Sequence, residues 1–157
     1  MGAITHINWK TYEVDNWRKF VLSPKQPMSA QKLSWAAINK PEHPLLSPAA
    51  AFESLVFTAG QVGAEKDGSY SSDVTRQTEL AIQDLQKVLK ASGSDLDQIL
   101  KVLLFVRNPE DAAKVNAVYA KYITTKPARS CISVVFPHPD ILVEIEAIAV
   151  KKTTANL

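Results

Sequence analysis

Two carboxylates stand in an otherwise apolar stretch near the end of the chain. Residues 141–150 alternate like a half-buried strand, which puts Glu144 and Glu146 on one face among aliphatic neighbours. A carboxylate in such a setting is costly unless it is paired, hydrogen-bonded or solvated. Each glutamate therefore needs a cationic partner, a water-filled cleft or an edge position, and a partly solvated face is the simpler alternative.

The nearest candidate cation is Arg129, in the segment PARSC that leads into a predicted strand. A guanidinium can hold a carboxylate through two parallel hydrogen bonds. An ordinary surface or subunit ion pair would explain the same residue. Cys131, two residues later, fits a small buried hydrophobic residue better than a nucleophile, because no histidine stands where it would activate the thiol.

A third candidate is Gly60, in the segment TAGQ, where the lack of a side chain would let a backbone amide approach a ligand. The same glycine could instead mark a β-bulge. The sequence contains no phosphate-binding loop, dinucleotide fingerprint, zinc spacing or Ser-His-Asp arrangement. Its three histidines are scattered, so a metal site is not expected.

Composition limits the function classes. The 157 residues are 46% hydrophobic and 22% charged, as in an ordinary globular domain. A formal net charge of +2 without a basic stripe does not favour a nucleic-acid partner. A single cysteine fits a reducing compartment, and the apolar runs are far shorter than the ~20 residues that span a bilayer. We expect a soluble, cytoplasmic protein without a membrane partner.

The first 27 residues differ from the rest and hold two of the three tryptophans without sustained periodicity. We interpret residues 1–27 as an appended arm and residues 28–157 as one domain, since Met28 begins a stretch that could be a natural start. A processed leader is the alternative, which would place the protein in the mitochondrial matrix.

Periodicity and turn signals predict the elements that position the candidate residues. Strands are expected at residues 32–38, 54–61, 99–106, 131–136 and 141–150, and helices at residues 73–91 and from 108 onward. Ser71 or Ser72 would cap the first helix and Gly93 would end it. Asp67-Gly68 is the strongest hairpin signal in the chain. This order indicates an α+β fold with one sheet and two helices.

Two helices can cover only one face of such a sheet. Leu103 and Phe105 leave apolar side chains for the other face, in a strand that reads as buried on both sides. Because large apolar faces are rarely left in water, we expect partner subunits to cover this one.

Three segments together resemble the Rid (reactive intermediate deaminase, or YjgF-like) family. The segment PARSCISVVFPHPDILVEIEAIAV is similar to the family's signature, and LVFTAGQVG is similar to its strand ending in a Thr-small-Gly-Gln turn. Between them, KVLLFVRNPEDAAKVNAVYAKY resembles the family's strand and second helix. The similarity runs in the same order over about residues 32–151.

The resemblance implies a chorismate-mutase-like α+β fold that packs as a homotrimer. The sheets would form an inner barrel, with sites in the clefts between subunits. Active members hydrolyse reactive enamines and imines, such as 2-aminoacrylate and its imine, to 2-keto acids and ammonia without a metal or cofactor. The physical demand is modest, because an imine carbon is already electrophilic and needs mainly orientation and a directed water.

The resemblance also implies roles for individual residues. Arg129 matches the arginine that grips the substrate carboxylate, and Glu144 matches the acid that positions the attacking water. Cys131 matches a pocket cysteine whose backbone contacts the ligand. Asn116 lies in the VNxxY segment of the second helix and would contribute from the rim, while Gly60 belongs to the Thr-small-Gly-Gln turn.

Two departures from the family pattern leave alternatives open. Many deaminating members carry a tyrosine in the loop where this chain has PLLSP (residues 44–48), and Ala59 replaces a frequent serine. A non-catalytic protein that binds small carboxylates, as a sensor or regulator, is therefore one alternative. An endoribonuclease or translation inhibitor is another, although the sequence offers it no basic stripe, general-base histidine pair or aromatic platform.

Overall fold

The structure, a computed structural model, describes residues 29–152, so the expectations for residues 1–27 lie outside the described part. Eight helices and strands follow one another in the predicted α+β order. They are β1 (Gln31–Lys32), β2 (Ala49–Phe52), β3 (Leu55–Thr58), α1 (Val74–Ala91), β4 (Ile99–Val106), α2 (Ala112–Tyr122), β5 (Ala128–Ser133) and β6 (Val143–Val150). Short 3₁₀ turns lie at Trp35–Ile38, Leu96–Gln98 and Pro109–Asp111.

The strands form one mixed six-stranded sheet in the order β1-β2-β3-β6-β4-β5. All neighbouring pairs are antiparallel except β4 and β5, which are parallel. The last strand of the chain therefore lies inside the sheet, and β5 forms an outer edge. This placement separates the PARSC segment from the two glutamates by one intervening strand, β4.

Both helices pack on one face of the sheet, here called the helix face. Alternation along β6 buries every second side chain against them, namely Val143, Ile145, Ala147 and Ala149. The helices contribute fully buried residues to the same core, among them Ile82, Leu85, Leu89 and Val115. The predicted division into an apolar face and a face carrying the two glutamates is thus confirmed for residues 143–150, but it is wrong for Leu142, which precedes the strand and packs against the core.

The opposite side of the sheet, here called the open face, has no covering element within the described chain. Phe57 and Ile132 remain 42% and 48% exposed there. In β4, Val102, Leu104 and Val106 are buried on the helix face, whereas Leu103 and Phe105 are only half-buried. A single chain therefore buries this strand on one side alone.

The strand predicted at residues 32–38 is wrong beyond its first residue. Only Gln31–Lys32 pairs with β2, and the chain then turns at Trp35–Ile38. The hydroxyl of Ser34 accepts the backbone N–H of Ala36, which caps this turn, and the indole N–H of Trp35 donates to the carbonyl of Leu46 at 2.7 Å. Local capping by serine and a tryptophan anchor thus override the β-propensity of the segment.

The hairpin predicted at Asp67-Gly68 is also wrong. These residues do form a turn, in which Gly68 has φ +86° and donates its N–H to Glu65, but its flanks are not strands. The Asp67 carboxylate accepts the backbone N–H and hydroxyl of Ser69, which closes the turn locally. The hairpin lies earlier, between β2 and β3, where Phe52 pairs with Leu55.

The first predicted helix is confirmed, with a different cap. Asp73, rather than Ser71 or Ser72, accepts the backbone N–H of Thr75. Gly93 follows the helix with φ +78°, as expected for a terminating glycine.

The last two strands differ from the prediction in their bounds. β5 is shifted toward the N-terminus and begins at Ala128, and β6 is shorter than predicted because it begins at Val143. None of the described helices has the length and apolar character needed to cross a membrane.

Candidate active site

Glu144 lies on the open face of β6, directly opposite Phe105 of β4. Its carboxyl group is partly withdrawn from water among these strands, and Glu146 follows two residues later on the same face. Burial raises the pKa of Glu144 above the usual carboxyl value, and the negative charge of Glu146 raises it further. A carboxyl group adjusted in this way is suited to accepting a proton nearer neutral pH.

The carboxyl group of Glu144 lies against the backbone of Gly60. A methyl group at Gly60 would overlap the carboxyl group of Glu144, so any larger residue there would push the flexible end of the glutamate side chain away from this position. The pairing of the two segments accounts for this approach. Phe57 pairs with Ile148 and Gln61 bridges to Ile145, so the three residues between Phe57 and Gln61 lie opposite only two residues of β6. The register therefore shifts by one residue in the segment that contains Gly60, as the bulge interpretation predicts.

The start of β6 is held by two side chains that sequence reasoning did not single out. The fully buried amide of Gln77 donates to the carbonyls of Ser71 and Asp140 and accepts the N–H of Leu142, with lengths of 2.6, 2.7 and 2.9 Å. The guanidinium of Arg107 donates to the carbonyls at positions 138 and 141. The turn that precedes Glu144 is therefore fixed from both sides.

Arg129 belongs to the edge strand β5 and is exposed. It pairs in parallel with the buried Val102, which puts its side chain on the helix face. There the guanidinium carbon lies 4.7 Å from the ring centroid of Tyr119 in α2, a cation–π contact. Among residues 29–152, Arg129 forms no ion pair, so an intrachain surface ion pair does not explain it.

Two other predicted residues lie near Arg129. Cys131 is two positions further along β5, on the same side, and is exposed, so the expectation of a buried thiol is wrong for the single chain. An edge strand with no neighbour beyond it leaves the thiol uncovered. Asn116 lies one helical turn before Tyr119 in α2 and is also exposed. Both side chains are therefore accessible to solvent.

Tyr119 is a functional residue that the periodicity identified only as part of a helix face. Its ring forms the platform for Arg129, while its hydroxyl is buried without a hydrogen-bond partner within the described structure. Burial raises the pKa of Tyr119, and the positive charge of Arg129 partly opposes this. The phenol is therefore neutral at physiological pH and acts on Arg129 through its ring.

The candidate residues thus form two groups rather than one. The glutamate half consists of Gly60 and Glu144 on the open face, and the arginine half consists of Asn116, Arg129 and Cys131 on the helix face at the sheet edge. Arg129 and Glu144 extend from opposite faces, so one chain does not bring them to a common ligand. In residues 29–152, no group of His, Cys, Asp or Glu side chains is arranged to hold a metal ion.

Comparison with known proteins agrees with this geometry. The family model described as Endoribonuclease L-PSP matches residues 37–151. The chain is 36% identical over 104 residues to a 2-iminobutanoate/2-iminopropanoate deaminase of Salmonella typhimurium, covering 63% of this chain and 81% of that protein. It is 37% identical over 108 residues to Protein HMF1 of Saccharomyces cerevisiae, covering 68% and 84% respectively.

Solved structures extend the agreement to the fold. The crystal structure of yeast Mmf1 superposes with a TM-score of 0.72 at 30% identity, covering 79% of this chain and all of the other. The structure of Escherichia coli TdcF with bound serine gives a TM-score of 0.69 at 28% identity, with 78% and 100% coverage. The matching segment includes both halves of the candidate site, and the chain belongs to the Endoribonuclease L-PSP family, the Rid or YjgF-like family whose motifs its sequence carries.

Proposed function

We propose that this protein hydrolyses reactive 2-imino acids, and the enamines that tautomerise to them, to 2-keto acids and ammonia. The proposal rests on one observation above all. Glu144 is a half-buried carboxyl group with a raised pKa, and it lies against Gly60, where the absence of a side chain leaves it room. The relatives named as 2-iminobutanoate/2-iminopropanoate deaminases support the same reaction class.

The reaction places simple demands on these groups. Water adds to the imine carbon while Glu144 accepts one of its protons, and the C=N double bond becomes a C–N single bond as nitrogen takes up a proton. The resulting carbinolamine then loses ammonia, and its C–O bond becomes the keto C=O. A carboxylate group that already lies beside the water needs no cofactor for these proton transfers.

Arg129 would bind the substrate carboxylate. Its guanidinium is exposed, has no acidic partner among the described residues, and is oriented by the Tyr119 ring rather than by a salt bridge. A planar fork with free donors suits a carboxylate in two-point contact. The backbone at Cys131 and the amide of Asn116 lie on the same side and would complete the arginine half.

The complete site is proposed to form between subunits of a homotrimer. Three observations support this arrangement: the two halves lie on opposite faces of one sheet, β5 is an unpaired edge, and the open face exposes apolar side chains such as Phe57 and Ile132. A cyclic arrangement would bring the arginine half of one chain to the glutamate half of its neighbour. Sedimentation of the purified protein measures the assembly directly.

The test of function uses imines generated in situ by an amino-acid oxidase, with release of keto acid followed over time. We expect wild-type protein to accelerate release, and Arg129→Ala and Glu144→Gln to lose at least about a hundredfold in kcat/KM. Lys121→Ala and Glu110→Gln, which alter exposed residues outside both halves, serve as matched controls and retain activity.

The same variants separate the competing functions. If Arg129→Ala abolishes ligand binding while Glu144→Gln leaves the rate of keto-acid release unchanged, the protein binds carboxylates and is not an enzyme. RNA cleavage that survives Arg129→Ala in highly purified protein, in the absence of imine hydrolysis, would indicate a nuclease. Loss of imine hydrolysis in both variants, without loss of the assembly, supports the proposed reaction.

A further inference from the structure

A depression of about 360 Å³ opens beside the glutamate half. Its walls come from the loop of residues 43–47 and from the ends of β2 and β3, and it reaches Ala59. This volume lies within the range of small-molecule sites and is far larger than a methyl or ethyl group requires. The depression includes the loop in which the chain departs from the family pattern.

The walls of the depression hold several large apolar side chains exposed to solvent. Leu45, Leu46 and Phe57 are 87%, 48% and 42% exposed, and together they make up half of the large apolar residues that the described chain exposes. Lys32 and His43 lie at the same depression and supply a polar rim. Large apolar side chains and polar groups thus share this surface, a combination that small-molecule sites use.

The loop is held in place before any ligand arrives. The indole N–H of Trp35 donates to the carbonyl of Leu46 at 2.7 Å, and the N–H of Ala59 donates to the carbonyl of Pro48 at 2.9 Å. Both bonds hold the C-terminal end of the loop against the body of the domain. A preformed wall binds a ligand without the entropic cost of ordering a loop.

The depression begins next to the reacting groups. Ala59, which lines it, directly precedes Gly60, on which the Glu144 carboxyl group lies. Phe57 is on the open face with Glu144, because its partner Ile148 alternates with buried residues of β6. A substrate whose imine carbon lies at Glu144 would therefore have this apolar depression within reach of its side chain.

From this arrangement we infer that the depression is the subsite for the substrate side chain, and that the protein takes 2-imino acids with large apolar side chains, such as those formed from leucine or phenylalanine. This inference rests on the proposed function and deepens it by naming the substrate class. Leu45 and Leu46 are then specificity-determining residues, and they contact the side chain of the substrate rather than its reacting carbon.

The experiment compares kcat/KM for imines generated from alanine, leucine and phenylalanine. We expect the two larger imines to be preferred at least about tenfold over the smallest, as a filled apolar pocket allows. Leu45→Ser and Leu46→Ser would each raise KM for the larger imines several-fold and change KM for the smallest imine much less. Val135→Ser is the matched control, because Val135 is 93% exposed and lies outside the depression.

Calorimetric binding of the matching 2-keto acids provides a readout that does not depend on turnover. Tighter binding of the larger keto acids, weakened by Leu45→Ser with the sedimentation unchanged, supports the subsite. Equal affinities for all three, or a preference that both loop variants leave intact, overturn it even when imines are hydrolysed. Absence of hydrolysis for every imine overturns the proposed function, and the keto-acid affinities then decide the subsite on their own.

Discussion

The side chains of Arg129 and Glu144 leave the sheet on opposite faces, with β4 between their strands. Arg129 pairs with the buried Val102 and contacts α2, whereas Glu144 alternates with buried residues and faces away from both helices. No rotamer of either side chain changes the face from which it departs. If both residues act on one substrate, they must come from two chains.

Mixing two inactive variants tests this arrangement. Subunits carrying Arg129→Ala and subunits carrying Glu144→Gln are unfolded together, refolded at equal concentration and assayed for imine hydrolysis. In a cyclic assembly about a quarter of the sites would receive both wild-type residues, so about that share of activity should return. Each variant refolded alone is the control. No recovery despite mixed assembly, shown by native mass spectrometry, would place both residues in one chain.

Tyr119 should act on Arg129 through its ring and not through its hydroxyl. Tyr119→Phe keeps the platform and removes a buried unpartnered hydroxyl, so we expect wild-type kinetics and stability equal or higher by about 1 kcal/mol. Tyr119→Leu removes the platform, and KM should rise about threefold while kcat changes little. Thermal unfolding checks that both variants fold. Equal kinetic damage from the two substitutions would assign a role to the hydroxyl.

The acid limb of the pH profile should report Glu144. Burial and the charge of Glu146 both raise the pKa of Glu144, and the proposed reaction needs its ionised form. Activity therefore rises with pH through that pKa. Glu146→Gln removes the second cause, so the acid limb should move to lower pH while the shape of the profile is preserved. A limb that stays in place would mean that another group, or a step other than water addition, governs it.

Gln77 should be essential to stability, because it holds the segment that leads into the glutamate half. Gln77→Met fills the same space but leaves the N–H of Leu142 and two carbonyls without their partner, which we expect to cost about 2–4 kcal/mol. Urea unfolding at matched protein concentration measures the loss. Gln86→Met is the control, because that amide bonds only to Asp95 and is partly exposed, and it should cost less than about 1 kcal/mol.

Sequence patterns predicted the elements whose periodicity is long and uninterrupted. The helix at Val74–Ala91, the strand at Ile99–Val106 and the two faces of β6 all follow from alternation or helical spacing that the core requires. The segment around Trp35 did not, since its course depends on an indole that reaches a carbonyl eleven residues away. Local propensity carries no information about such a partner.

The sequence supplies the candidate residues, but it does not show from which face of the sheet each of them departs. Gly60 and Glu144 do come together, because a bulge joins neighbouring strands. The separation of Arg129 from Glu144 depends on which strand lies between them and on the two registers that β4 makes with β5 and β6, which no pattern within a single strand contains. The roles of Tyr119 and Gln77 likewise arise from contacts with distant segments.

The outer edge of β5 links catalysis to solubility. No strand among residues 29–152 pairs with that edge, so it offers free N–H and C=O groups to another strand, and it carries Arg129 and Cys131. In the proposed assembly, dilution that separates the chains would disrupt the sites between them. It would also expose the edge of β5, to which another strand could add. Inactivation and aggregation should then begin at the same protein concentration, and a keto acid bridging two chains should delay both.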